Sequence, residues 1–120
     1  MHKLTPIETA ALIDAALAAG RAAGTAVNPA PMGVTDGNTT WIVEDGVCGF
    51  AWVNVKPGNS PIAKALVAAN LASRDSYAGG VTHWVHDFNQ SMTRKEAYAR
   101  AFAATLAAAG IFARPGSRMD

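Results

Sequence analysis

The 120 residues contain one cysteine, Cys48. No disulfide can form within the chain, which fits a reducing, cytoplasmic setting. No run approaches the roughly 20 consecutive apolar residues of a membrane-spanning helix. The opening MHKLTPIETAALIDAALAAG has polar residues inside its apolar stretch and does not read as a signal peptide. Charge of one sign is also lacking: 10 Lys and Arg face 9 Asp and Glu, for a formal net charge of +1. That balance argues against broad, sequence-independent binding of long nucleic acid, which needs a strongly basic face. It leaves room for a small basic pocket.

Bulk is scarce as well. Alanine is abundant and aromatics make up 8% of the chain. Alanine favours helix and close helix approach but fills little volume. The expected core therefore draws on Trp41, Phe50, Trp52, Trp84, Phe88, Tyr98 and Phe102, with scattered Ile, Leu and Val. Helices so thin in bulk suggest that a subunit interface, as in a homo-oligomer, supplements the core. Half of the residues are apolar, enough for one domain over 1–120 without metal or disulfide.

Local signals set the expected elements. TPIE opens a helix over about 5–23, with Thr5 as cap, Pro6 at the first position and Glu8 completing a capping box. Gly20 or Gly24 is the expected stop. A flexible loop follows over about 24–39, where Pro29, Pro31, Gly33 and Gly37 break any period. TTWIVEDGVCGFAWVNVKPGN reads as a hairpin turning at Asp45-Gly46. Its second strand, about Val47 to Lys56, places Cys48, Phe50, Trp52 and Asn54 on one face and Gly49, Ala51, Val53 and Val55 on the other. Both faces are partly apolar, so this strand is expected to be central. Ser60 and Pro61 start a second helix. SRDSYAGG reads as a loop and VTHWVHDF as a strand. A last helix carries a capping box at Thr93 and Glu96, a buried stripe at Tyr98, Phe102 and Leu106, and a stop at Gly110. IFAR returns as a short strand, and 115–120 is a tail. The order helix, hairpin, helix, strand, helix, short strand gives an α+β domain with helices packed on a largely antiparallel sheet.

His83 and His86, three apart on a strand, point to opposite faces and cannot share an ion. No Cys/His cluster elsewhere completes a site, so neither metal nor cofactor is expected. Cys48 sits among apolar residues of a strand, where cysteine acts as a small hydrophobe rather than a nucleophile. PGNSP lacks the length and the lysine of a phosphate-binding P-loop.

The richest stretch is GGVTHWVHDFNQSMTRKEAYAR. On a continuous strand, Thr82, Trp84, His86 and Phe88 share a face. Asn89, Gln90 and Ser91 enter the helix, and Arg94, Lys95 and Arg100 lie on its first two turns. Amides at a helix start favour anions, an aromatic ring stacks on a base, Asn or Gln reads its edge, and arginine pairs with phosphate. Arg114 and Arg118, beyond the last helix, either fold over a bound anion as a lid or belong to a frayed end. The competing reading is ordinary: Asn-Gln-Ser as a cap, Trp84 and Phe88 as core, and the charges as a solvated face.

The stretches GFAWVNVKPGNSPIAKAL, YAGGVTHWVHDFNQSMTRKEAYARAFAATL and GSRMD, all within about 49–120, resemble small proteins of phages and prophages. The named resemblance is to the first family of Thoeris anti-defence proteins, the "sponges" of immune signalling. It implies a non-enzymatic oligomer built on a dimer in the cytoplasm of an infected host cell. Such a protein encloses a cyclic ADP-ribose-type messenger made by TIR enzymes, and some members also hold cyclic oligonucleotides at separate sites. On this sequence the implied roles fall to Trp84 or Phe88 for stacking, Asn89 with Gln90 beside it for polar reading, and Arg94, Arg114 or Arg118 for phosphate. The N-terminal helix lies outside the resemblance. The alternative is a structural or regulatory phage protein that acts through an alanine-rich helix face. A weaker one is a hydrolase of nucleotide signals using His83 or His86 with Asp87.

Overall fold

The computed structural model describes residues 4–27, 32–35, 40–43, 48–88 and 91–119. The elements are α1 (Pro6–Ala26), β1 (Met32–Thr35), β2 (Thr40–Val43), β3 (Gly49–Lys56), α2 (Pro61–Ala68), β4 (Ser73–Arg74), β5 (Val81–Trp84), α3 (Met92–Ala108) and β6 (Phe112–Met119). The protein is α+β. A four-stranded antiparallel sheet of order β4-β5-β3-β6 carries helices on one face, and β1 and β2 form a separate two-stranded sheet. Among the described residues, no helix is long and apolar enough to cross a membrane.

The helix starts follow the sequence. Thr5 and Glu8 form the capping box of α1, and Ser60 caps α2 through the Ala63 N–H. On α3 the cap is Ser91, accepting from the Arg94 N–H, rather than Thr93, which lies inside the first turn. Gly110, at φ 83°, follows the end of α3, where left-handed backbone favours glycine.

Neither Gly20 nor Gly24 stops α1, which runs on to Ala26. Their lack of a side chain serves packing instead. A Cβ at Gly20 would fall 2.9 Å from the Tyr98 ring, and one at Gly24 would overlap Phe88. These two glycines let α1 settle on aromatic rings. The expected loop after residue 23 is thus helix at first, and it later contains β1.

Among the described residues, the hairpin lies between β1 and β2 rather than between β2 and β3. β2 pairs with β1, from Thr35–Thr40 to Met32–Val43, and not with β3. Both edges of β3 are already occupied, by β5 over four pairs and by β6 over its whole length. Asp45 and Gly46 lie outside the described residues. β3 is central, as its two apolar faces require.

The last segment departs most from expectation. Phe112–Met119 is one strand, paired with β3 from Lys56–Phe112 to Gly49–Met119. Pro115 and Gly116 do not break it. β6 is an edge strand, and an edge offers positions whose N–H would point away from the sheet, where proline costs no ladder bond. In contrast, β5 ends at Trp84, and Phe88 turns through a positive φ of 70°. The alternation expected from Thr82 to Phe88 runs on through buried Val85 and exposed His86, which lines a groove with Thr82 and Trp84, and fails only at Phe88. Ser73–Arg74, expected as loop, adds a short fourth strand.

The core lies between the helices and one sheet face. Ala51, Val53 and Val55 meet Tyr98, Phe102 and Leu106 of α3, with Ile13 and Ala16 of α1 and Ile62 and Leu66 of α2. Burying each large side chain contributes about 1.5–3 kcal/mol. Tyr98 and Phe102 are core as expected, but Trp84 is 40% exposed and Trp52 is half-buried. Trp41 lies on β2, outside the side chains described.

Candidate functional site

Strand periodicity divides the sheet. Ala51, Val53, Val55, Val81, His83, Ala113 and Ser117 face the helices, and the Ser117 hydroxyl donates to Glu96 of α3 at 3.0 Å. The other parity faces away. There the register aligns Lys56 with Phe112, Asn54 with Arg114, Trp52 with Gly116 and Phe50 with Arg118. On the opposite edge of β3, Trp52 pairs with Trp84 and Asn54 with Thr82. The open face thus interleaves aromatic rings with cations.

A groove of about 320 Å³ runs over this face, lined by Trp52, Asn54, Lys56, Phe112, Arg114 and Gly116, with Ala78 from the β4–β5 connection. Trp52 lies over the backbone of Gly116, and no side chain larger than hydrogen fits beneath it. Its ring centroid is 5.1 Å from that of Trp84, tilted by 51°. The Lys56 ammonium sits 5.8 Å from the Phe112 ring centre. At the other end Phe50 has the Arg118 guanidinium at 5.5 Å and the Lys95 ammonium at 5.8 Å, both at cation–π range. Lys95 is only 5% exposed and forms no salt bridge among the described residues.

One wall is fixed by a hydrogen-bond chain. Asn54 Nδ2 donates to Gly79 O (2.9 Å), Thr82 Oγ1 (3.2 Å) and Val81 O (3.3 Å). The Thr82 hydroxyl donates to Asp75 Oδ2 at 2.8 Å, and Asp75 Oδ1 accepts the Ala78 and Tyr77 N–H groups at 2.8 and 3.0 Å. The Ala78 N–H, then Thr82, hold the Asp75 carboxyl below its ordinary range. With Nδ2 spent on the wall, Asn54 Oδ1 is the amide atom left for a ligand.

The residues expected to form the site do not all meet. Trp84, Arg114 and Arg118 lie on the open face. Phe88 lies across the sheet from it, against Gly24 of α1 and edge-on to Tyr98 at 6.4 Å between centroids. Arg94 is also turned away: its Nη1 donates to the Gly24 and Thr25 carbonyls at 3.2 and 3.4 Å and caps the end of α1. Asn89 and Gln90 lie outside the described residues. Trp52, Asn54, Lys56, Phe112 and Phe50 belong to the face and were missed. The parity of GFAWVNVK aligned with that of FARPGSRM would have found them, had the tail been read as a strand.

His83 is core, at 4% exposed. Its Nδ1 donates to Leu71 O at 2.6 Å, its Nε2 accepts the Tyr98 hydroxyl at 3.0 Å, and its ring stacks on Phe102 at 4.5 Å. Burial holds its pKa below 6.5, only partly offset by the Leu71 carbonyl, and burial pushes the Tyr98 hydroxyl up to about 12. Both ring nitrogens are engaged, which leaves neither for a substrate proton. His86 is exposed, and Asp87 pairs with Arg21 at 3.3 Å. Cys48, expected to be buried, is exposed, because it stands just before β3 in an isolated bridge with Ser91. No group of three or more potential metal ligands occurs among the described residues. Comparison with protein families, with curated proteins and with solved structures returned no match.

Proposed function

We propose that this chain is a non-catalytic binding protein that captures an anionic, base-bearing small molecule on the open face of β3 and β6. The observation that carries the reading is the register of those two strands, which brings Trp52 and Phe112, rings able to stack on a base, beside Lys56 and Arg114, cations able to pair with phosphate, with Arg118 one step along. Sequestration asks for tight binding and no proton transfer. That suits a face built from rings, cations and one amide, with His83 and Tyr98 tied up in the core.

The ligand class follows the resemblance to Thoeris anti-defence proteins: a cyclic ADP-ribose isomer or a cyclic oligonucleotide, held by a phage protein in the host cytoplasm. The adenine would stack on Trp52 or Phe112 and the pyrophosphate would meet Arg114 and Arg118. A thermal-shift screen of such ligands, followed by heat release and recovery of the bound molecule, tests the proposal. At a hundredfold excess over the dissociation constant a tight site adds about 2.7 kcal/mol of stability. Fragmented ligand on release would favour the hydrolase reading, and no shift with any nucleotide would sink the proposal.

A second observation favours contact with another protein, and an oligomer is the simplest form of it. An apolar groove of about 570 Å³ lies between α1 and α2, lined chiefly by Leu4, Ile13, Leu17, Pro61 and Leu71. Sedimentation measures this directly: a monomer at all concentrations removes the oligomer.

A further inference from the structure

The net charge of +1 conceals a segregation. The strands of the four-stranded sheet carry Lys56, Arg74, Arg114 and Arg118 and no aspartate or glutamate, and the carboxylate beside them, Asp75 just after β4, is tied to Thr82 and to the Ala78 and Tyr77 N–H groups in the groove wall. On its open face the two central strands present Trp52 and Trp84 side by side, and the edge strand adds Phe112, 54% exposed. A second groove, of about 270 Å³, lies along Trp84 and is lined also by Asn70, Ser73, Thr82 and His86. Trp52 lines the first groove and Trp84 the second, so the tryptophan pair stands between them. A small molecule in the first groove leaves Trp84 and the second groove unused.

We infer that the open face of the four-stranded sheet binds a single strand of nucleic acid, with Trp52 and Trp84 as its stacking platform and Arg114 and Arg118 on its phosphates. Any base offers a π-face, so stacking tolerates sequence, and a groove that tracks the backbone supplies the rest. A four-stranded antiparallel sheet with helices behind it and aromatic side chains on its central strands is a known solution to this task. A duplex is the wrong partner. Its base faces are hidden, and a chain of such low net charge lacks the broad basic surface that duplex binding draws on. The inference goes beyond the proposed capture of a small signal but shares the first groove with it, so the two ligands compete.

The test is a titration of the full chain, followed by tryptophan fluorescence, with a mononucleotide, a trinucleotide and a decanucleotide of uridine and of thymidine, and with a duplex of equal length. The expected result is quenching by single strands, affinity rising with length, and a log–log salt slope of about −0.7 for each phosphate contacted. Trp84→Ala, at an exposed ring, should weaken decanucleotide binding about tenfold. The double variant Arg114→Gln/Arg118→Gln, which leaves the core untouched, should flatten the salt slope. A decanucleotide that binds no better than the mononucleotide, or a duplex that binds equally well, overturns the inference. Binding of a cyclic ADP-ribose isomer alongside either of those results leaves the proposed capture standing. Tight decanucleotide binding with no response to any cyclic signal overturns that proposal and supports this one.

Discussion

The indole of Trp52 rests on Gly116: a Cβ built there would stand 2.5 Å from Trp52 Nε1. The ring's position is therefore set by the absence of a side chain on the neighbouring strand. Gly116→Ala should push the indole off β6, lower stability by about 1–3 kcal/mol through overpacking, and weaken any ligand stacked on Trp52. Tryptophan emission and a denaturant melt report the two effects. Unchanged emission with unchanged affinity would show that the ring is not held this way.

Gly20 gives a contrast on the buried side. Alanine in a helix interior is ordinarily better than glycine by about 1 kcal/mol. Here the added methyl would stand 2.9 Å from Tyr98, which is 1% exposed and pinned by His83. Gly20→Ala should therefore destabilise by about 1–3 kcal/mol despite its helix propensity. A rise in the melting temperature would mean that α1 shifts freely on α3.

Arg94 and Arg118 should separate by function. Arg94 holds two carbonyls at the end of α1, so Arg94→Ala should cost about 1–2 kcal/mol of stability and leave ligand affinity alone. Arg118→Gln should leave the melt within about 0.5 kcal/mol and weaken anion binding. Calorimetry on the two folded variants checks the pair, and equal losses of affinity would return Arg94 to the site.

Burial of the hydrogen-bonded pair His83 and Tyr98 makes stability fall at both ends of the pH scale. Burial holds the His83 pKa below 6.5 in the folded state, so the unfolded chain takes up the proton first. This contribution is complete above pH 6.5 and is lost as pH falls toward the folded value. Tyr98 has the opposite sense. Its pKa is raised from 10.0 to about 12, so the unfolded chain releases the proton first and stability drops between those values. His83→Leu should lower stability at neutral pH by leaving Leu71 O and the Tyr98 hydroxyl without a partner, and it should remove this residue's part of the acid limb. An acid limb of undiminished slope in that variant would assign it to the carboxylates.

Much of the architecture was legible in order. The caps at Thr5 and Ser60, the Tyr98–Phe102–Leu106 stripe, the stop at Gly110 and the central place of Gly49–Lys56 each follow from residue types over a few positions. Hydrogen-bonding side chains, a four-residue helical spacing and two-sided apolar alternation are local quantities, and sequence alone determines them. What tertiary structure decided was which partners met. Asp45-Gly46, outside the described residues, signals a turn between neighbouring strands, but the partners of β3 are β5 and β6. ARPGSRM lacks strand propensity and becomes a strand because the free edge of β3 accepts it along its full length. That pairing gathers Arg114, Arg118 and Phe112 beside Trp52, and the positive φ of Phe88 sends its ring to the core. A local pattern fixes the faces of each element. Only the energy of long-range pairing and burial fixes which faces come together, and the candidate site lies at such a meeting.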